Sequence, residues 1–410
     1  MKYGCIGEHL THSFSKEIHN LLADYEYELK EISPDNLDTF LKNKDFNAVN
    51  VTIPYKQEVI KYLDFVDDLA KEIGAVNTIV NKEGKLYGYN TDFYGLKTLI
   101  ETNDISLKNK KVLILGSGGT SKTALAVAKF LSAKEIFRIS RTGNNGCITY
   151  EDAISNHNDA DVIINTTPCG MYPESSGSPI DISYFSNLYA VIDVVYNPFK
   201  TDLISAAEKR GIKCCSGLYM LVAQASYAVE HFLDCKISAE KLQSVYKKIL
   251  FSKQNIVLIG MPSCGKSTVG QLVAEYLGRD FYDTDTLIET KENLSIKEIF
   301  ELYGESYFRK LENETIAEIS KLSGVVISTG GGAVINENNT FWLKKNGLLF
   351  FIDRPLEKLI CTKARPLSSN KSNLEMLYKQ RHPIYCSAAD YTLTKDNTFE
   401  ELKELLKKEF

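Results

Sequence analysis

The run Gly260-Met261-Pro262-Ser263-Cys264-Gly265-Lys266-Ser267-Thr268 constrains this chain more than any other feature. It fits GxxxxGK[ST] at every fixed position and follows the apolar run NIVLI. After it, Val269, Leu272, Val273, Tyr276 and Leu277 recur on one helical face. A strand, a glycine-rich loop and an amphipathic helix in that order belong to an α/β layer with a largely parallel sheet. The motif's chemistry needs backbone N–H groups around phosphates, with Gly260 and Gly265 shaping the loop. It needs the Lys266 ammonium near the β/γ junction and the Ser267 hydroxyl, followed by Thr268, beside Mg²⁺. By itself this says only that a nucleoside triphosphate such as ATP binds.

A second strand runs into glycine earlier in the chain, where KVLIL leads to Gly116-Ser117-Gly118-Gly119. Ala124, Val127, Ala128 and Leu131 then share a helical face. The third glycine of GxGxxG is replaced by Ser121, so this fingerprint is weak alone. At the end of the next strand, where an NAD site would carry an acid for the ribose 2′-OH, stand Ser140, Arg141 and Thr142. A cation there favours NADP(H); a surface arginine at a strand end is the bland alternative.

The remaining β-like runs (DVIINTTP, AVIDVVY, GVVISTGGG, LLFFIDRP) alternate with helical stretches, and 410 residues exceed what one core ordinarily holds. A second α/β rhythm starts at NIVLIG, which puts the main boundary near Phe251 to Gln254. With 44% hydrophobic residues, 25% charged and a formal net charge of −5, the composition is that of a globular protein with no bulk attraction for nucleic acid. Nine cysteines without a CxxC pair suit reduced thiols. The start MKYGCIGEHL has no signal-peptide pattern and no apolar run is long enough for a membrane span, so the expectation is a cytoplasmic protein. His12 and His19 have no ligand-spaced companions and are read as structural.

With FYDTDTLIE after the second strand of this part, then GESYFRKLE and STGGGAV, residues 255–410 resemble shikimate kinase. The resemblance implies that Asp283 helps hold Mg²⁺ with Ser267, and that Asp285 contacts the substrate diol near the attacking hydroxyl. It implies that Arg309 and Arg381 bind the substrate carboxylate, for which a planar fork of donors suits. Gly330, Gly331 and Gly332 would let backbone approach the ring, and Arg365 would reach the transferring phosphoryl group. The stretch CTKARPL departs from the family: it is short and lacks an upstream arginine, Lys363 being the nearest cation.

Residues 1 to about 248 resemble shikimate dehydrogenase through HSFSKEIHN, NVTIPYK, AVNTIV, GYNTDFYG, NTTPCGM, DVVYNP and GLYMLVAQ. The family's fold would give a substrate domain over 1–100 completed by 217–248, and an NADP-binding Rossmann domain over 101–216. By the same resemblance Ser13 and Ser15 bind the carboxylate, with Tyr196 near it, and Thr52 and Asn77 hold ring hydroxyls. Gln224 reaches substrate from the returning helix and Gly217 belongs to the cofactor site. Lys56 and Asp92 match the family's catalytic pair: an ammonium can protonate the oxygen of a ketone receiving hydride, and Asp92 would support it. Glu8 and Lys16 stand where members often carry proline.

Together the two resemblances imply reduction of 3-dehydroshikimate with NADPH and phosphorylation of the resulting shikimate with ATP. Three rivals stay open: a quinate or NAD-linked dehydrogenase joined to another small-alcohol kinase, a regulator built from inactive copies, and a chain with one active half. Oligomeric state is left open.

Overall fold

The computed structural model describes residues 1–10, 14–173, 177–359 and 371–409. The chain divides into two compact units, Met1–Ile249 and Leu250–Phe410.

The first unit has two sheets. One follows the order β2-β1-β3-β5-β6-β4, from β1 (Tyr3–Gly7), β2 (Tyr27–Glu31), β3 (Ala48–Val51), β4 (Phe65–Val66), β5 (Thr78–Lys82) and β6 (Lys85–Tyr89). Here β1 runs parallel to β2 and β3, whereas β5 is antiparallel to both β3 and β6. This sheet is therefore mixed, with β4 parallel to β6 as well, within an architecture expected to be largely parallel. The reversal from β5 to β6 is made by Glu83-Gly84, both at positive φ (53° and 80°), the geometry of a two-residue hairpin turn.

The second sheet, β11-β10-β9-β7-β8, is parallel throughout. Its strands are β7 (Lys111–Leu115), β8 (Glu135–Ile139), β9 (Val162–Asn165), β10 (Ala190–Asp193) and β11 (Lys213–Ser216). They read as unbroken apolar runs because both faces are covered. Val112 and Ile114 pack with Ala124 and Val127, while Leu113 and Leu115 pack with Ala153 and Leu203. Winding reverses between β7 and β9, which opens a crevice at their carboxyl ends. The helix Leu218–Leu233 then returns to the first sheet, where Ala228 and Phe232 are buried with Cys5, Tyr27 and Val80. It lies tight against helix Thr91–Thr102: a Cβ on Gly95 would come within 2.8 Å of the Met220 carbonyl.

The second unit holds one parallel sheet, β13-β14-β12-β15-β16, made from β12 (Asn255–Ile259), β13 (Phe281–Asp283), β14 (Val326–Ser328), β15 (Gly347–Ile352) and β16 (Tyr391–Leu393). Central β12 is buried at all five residues, as a strand covered on both faces must be. It feeds the phosphate loop and helix Lys266–Leu277, which buries Val269, Gly270, Val273 and Ala274. Leu272 and Tyr276, read from the sequence as part of that face, are 43% and 44% exposed. Gly270 turns the helix: a Cβ there would sit 2.5 Å from the Phe281 ring, so the glycine takes the centre of the contact and moves the buried stripe. Among the described residues no helix is long and apolar enough to cross a membrane.

Candidate active sites

In the first unit a cavity of about 660 Å³ is lined by Ser15, Thr52, Lys56, Asp92, Tyr196, Gly217 and Gln224, all singled out above. Lys56 Nζ lies 2.6 Å from Asp92 Oδ2, and the two side chains are only 18% and 10% exposed. Low exposure makes this charge-assisted bond stronger than a surface ion pair. Lys56 is positioned by the fully buried ring of Tyr55 and by the Val76 N–H, which donates to the Lys56 carbonyl at 2.7 Å. Asp92 occupies the first turn of helix Thr91–Thr102, whose N-cap Asn90 accepts from the Phe93 N–H. The positive helix end favours a carboxylate there. The pair can deliver a proton to an oxygen gaining negative charge, with Asp92 orienting the ammonium.

Asn77 stands behind the cavity wall at 3% exposure. Its Oδ1 accepts from the Thr91 N–H at 2.7 Å and its Nδ2 donates to Thr91 Oγ1 at 3.0 Å, so it fixes the residue that precedes Asp92. Gln224 Nε2 donates to the Leu221 carbonyl at 2.9 Å, and the Tyr196 ring packs on Phe14 at 5.2 Å. Ser13 and His12 lie outside the described residues. His19 is buried, stacked on Tyr27 at 3.9 Å, and burial pushes its imidazole down to about 3, which keeps it neutral and structural.

At the crevice, the Gly116 N–H donates to the Ile139 carbonyl at 2.8 Å and ties the glycine turn to the end of β8, where Ser140, Arg141 and Thr142 follow. Gly116 has φ 119°, and a Cβ would lie 2.6 Å from Thr166 Oγ1. Ser121 replaces the third glycine without disturbing the turn: it is buried and its hydroxyl donates to the Gly116 carbonyl at 2.7 Å. Beside Gly118 and Gly119 a Cβ would meet nothing within 4 Å, so space is open at the N-terminus of helix Gly119–Phe130, where an anion is favoured. Arg141 and Thr142 are exposed. Ser140 Oγ accepts from the Gly143 N–H at 3.1 Å. Thr120, which the sequence did not single out, lines the 660 Å³ cavity and so links the glycine turn to the chamber of Lys56. These groups fit a dinucleotide with its pyrophosphate on the turn.

Asp193, also missed, underlies the crevice. It is fully buried and accepts from Asn165 Nδ2 (2.9 Å), the Val195 N–H (3.0 Å) and Thr201 Oγ1 (2.7 Å), joining β9 and β10 to the loops that follow. Burial pushes its carboxyl up to about 6 despite those bonds. The unfolded carboxyl titrates near 3.9, so between the two values the folded chain holds a proton that the unfolded chain has lost. This contribution is fully present below about pH 4 and is lost as pH rises through 6, an effect of up to roughly 3 kcal/mol. Urea denaturation with pulse proteolysis at pH 4–7.5 is expected to show that stability difference between the natural chain and Asp193→Asn shrinking with pH. A pH-independent difference would contradict it.

In the second unit a cavity of about 620 Å³ is lined by Gly265, Lys266, Ser267, Thr268, Asp283, Asp285, Arg309, Gly330, Gly331, Gly332 and Arg381. Gly260, at φ 145°, supports the loop from behind, and the Lys266 ammonium donates to the Gly260 and Met261 carbonyls, both at 2.9 Å. Ser267 Oγ donates to Asp283 Oδ2 at 2.6 Å. The other oxygen of Asp283 caps helix Thr284–Glu292 through the Asp285 (3.1 Å) and Thr286 (3.3 Å) N–H groups. Ser267 and Asp283 therefore converge beside the loop in a way that fits a hydrated divalent cation.

The three glycines after β14 make room first for the site's own side chains. A Cβ on Gly330 would sit 2.6 Å from Asp285 Oδ1 and 2.9 Å from Glu312 Oε1, one on Gly331 2.8 Å from the Pro262 ring, and one on Gly332 inside the Arg309 guanidinium. Arg309 donates three hydrogen bonds, two to Glu305 and one to Glu312. Two of its five donors remain for a ligand. Glu312 escaped the sequence reading although it lies one helical turn from Arg309. It is 1% exposed, and burial pushes its carboxyl up while the Arg309 guanidinium pulls the other way. Arg381 Nη1 donates to the Gly331 carbonyl at 2.9 Å, as does the Tyr385 hydroxyl, so both anchor the glycine segment. A further cation, Arg354, brings Nη2 to 3.5 Å from where a Gly265 Cβ would lie. Arg365 and Lys363 lie outside the described residues.

Residues 5–79 match the family model for the shikimate dehydrogenase substrate binding domain, and residues 262–408 match that for shikimate kinase. A shikimate dehydrogenase (NADP(+)) of Clostridium beijerinckii is 38% identical over 261 residues, covering 60% of this chain and 96% of its own length. The crystal structure of shikimate dehydrogenase 1 from Peptoclostridium difficile aligns at 38% identity and a TM-score of 0.56, over 61% of this chain and 98% of that one. A chorismate mutase/shikimate 5-dehydrogenase fusion protein from Clostridium acetobutylicum aligns at 35% identity and a TM-score of 0.57, over 60% and 96%. The chain belongs to the shikimate dehydrogenase family, with a shikimate kinase domain following on the same polypeptide.

Proposed function

We propose that residues 1–249 reduce 3-dehydroshikimate to shikimate with NADPH, and that residues 250–410 transfer the γ-phosphoryl group of ATP to shikimate, giving shikimate 3-phosphate. The chain is thus a bifunctional enzyme of the shikimate pathway. The observation that carries the reading is that each unit gathers, around one cavity, the groups its step needs: Lys56–Asp92 beside an open glycine turn, and Asp285–Arg309 beside a phosphate loop.

In the first step Ser15, Thr52, Tyr196 and Gln224 hold the substrate, together with Ser13 and Asn77 on the resemblance. Gly116, Gly118, Gly119 and Gly217 seat the cofactor, and Ser140, Arg141 and Thr142 face its 2′-phosphate. When bound, NADPH supplies the hydride. Lys56 stabilises the oxygen as charge develops on it and gives it a proton, while Asp92 holds the ammonium in line. In the second step Arg309 and Arg381 hold the carboxylate of shikimate. Asp285 orients the hydroxyl that attacks and accepts its proton, and Lys266 with the loop N–H groups neutralises the phosphates. When bound through Ser267 and Asp283, Mg²⁺ supplies Lewis-acid charge to the phosphates.

Two assays on the purified chain test this: oxidation of NADPH by 3-dehydroshikimate without ATP, and release of ADP from Mg-ATP by shikimate without NADPH. Both are expected to proceed, and failure of either removes that step. Arg141→Ala is expected to raise KM for NADPH by roughly 10–100-fold, the loss of a bond to a charged group, and to leave KM for NADH unchanged. Equal effects on both cofactors would remove Arg141 from the 2′-phosphate.

A further inference from the structure

On helix Lys371–Ala388, one turn separates His382 from Cys386, and the two meet at 3.6 Å between Nδ1 and Sγ. The other ring nitrogen, Nε2, lies 3.0 and 3.1 Å from the two oxygens of Asp353, just beyond the end of β15. The ring is held by Tyr378 (4.9 Å) and by Phe351 (5.6 Å, edge-on). A carboxylate on Nε2 selects the tautomer with its proton there and leaves the Nδ1 lone pair facing the thiol. Nucleophile, base and orienting acid thus stand in line, the constellation that activates a side-chain nucleophile. None of the three lines the kinase cavity, and among the described residues no group of His, Cys, Asp and Glu is arranged to hold a metal. Cys386 is exposed.

We infer that Cys386 is a redox-modification site, at which hydrogen peroxide oxidises the thiol and slows the kinase step. This consequence rests on the kinase reading above. In the reaction Cys386 Sγ attacks one peroxide oxygen as His382 Nδ1 takes the thiol proton. The S–O bond forms and the O–O bond breaks, so the cysteine is oxidised by two electrons to a sulfenic acid. The leaving hydroxide takes the proton from His382 and departs as water. The coupling to activity is short. Arg381 and Tyr385 on the same turn both donate to the Gly331 carbonyl, which lines the shikimate cavity, so an added oxygen on Sγ bears on the turn that anchors that wall.

Cys235 supplies an internal control. It is also exposed, but its Sγ points at the Val229 carbonyl and no histidine hydrogen-bonds it among the described residues. The test treats the reduced full-length chain with hydrogen peroxide, traps sulfenic acid with dimedone and maps it by mass spectrometry. Cys386 is expected to be trapped at least about tenfold faster than Cys235, with His382→Gln bringing it down to the Cys235 rate. Kinase activity should fall in step with trapping, return with dithiothreitol, and resist peroxide in Cys386→Ser, while dehydrogenase activity stays constant. Equal trapping of the two cysteines, or an unaltered rate in His382→Gln, would overturn the site. A Cys386→Ser kinase as sensitive as the natural one would overturn the coupling. Because Cys386→Ser should phosphorylate shikimate normally before treatment, absence of any kinase activity would instead count against the kinase reading.

Discussion

Lys56→Met is expected to slow the reduction of 3-dehydroshikimate by roughly 10²–10⁴-fold, the range for removing a positioned proton donor, while shikimate is phosphorylated at the natural rate. Methionine keeps the length and packing of the side chain but removes the ammonium and every N–H it carries. The loss should fall on kcat, since stabilisation of developing charge is made mainly in the transition state. The variant leaves Asp92 facing the cavity without its cation, so retained NADPH binding, followed by nucleotide fluorescence, serves as the check that the unit is folded. Asp92→Asn tests the pair from the other side. It keeps a hydrogen-bond acceptor for Lys56 but removes the charge opposite it at 2.6 Å, and is expected to slow the same step by less than Lys56→Met. A Lys56→Met enzyme within a few-fold of the natural kcat would assign the proton to another group.

Asp285→Asn is expected to reduce ADP formation with shikimate by roughly 10²–10⁴-fold, leaving reduction of 3-dehydroshikimate unchanged. Asparagine keeps the size demanded by Gly330, whose Cα side faces Asp285 Oδ1, and the backbone N–H that donates to Asp283 is untouched. What disappears is the ability to take a proton from the attacking hydroxyl. Nucleotide binding should therefore persist, because the phosphate loop and the Ser267–Asp283 pair at 2.6 Å do not depend on that carboxylate. Equal loss of nucleotide affinity would instead place Asp285 among the groups that hold Mg²⁺ and ATP. The split between binding and turnover, read by titration calorimetry and steady-state rates, separates the two roles.

The parts of these sites legible in residue spacing alone are those in which consecutive residues do the chemistry; Lys56, Asp92, Asp285 and Arg309 come only through resemblance to families. Gly260 to Thr268 form one loop with one ligand, and the spacing is the mechanism. The parts that could not be read depend on distance in space. Glu312 becomes notable only when folding buries it between Arg309 and Gly330; in sequence it is one more acid on a charged helix. Tyr385 and Arg381 meet at the Gly331 carbonyl from fifty residues away. Thr120 enters the first cavity only because the crevice of one sheet opens toward the other. Asn77 carries a task that only the fold shows, both ends of its amide holding Thr91, beside the ring-hydroxyl role that the resemblance implies. At the level of fold, the alternation of strands and helices was enough for the two parallel sheets. It did not reveal that β6 turns back on β5, a matter of two residues at positive φ, nor that Gly270 would shift the buried face of its helix.

One polypeptide creates an oxygen function by reduction and then phosphorylates it. The most direct test incubates the purified chain with 3-dehydroshikimate, Mg-ATP and NADPH carrying deuterium at the transferable position of C4, and analyses the product by mass spectrometry and NMR. The expected product is shikimate 3-phosphate with one deuterium on the carbon that bears the phosphoester oxygen, formed only when both cosubstrates are present. Deuterated shikimate without phosphate, or phosphate on any other oxygen, would contradict it.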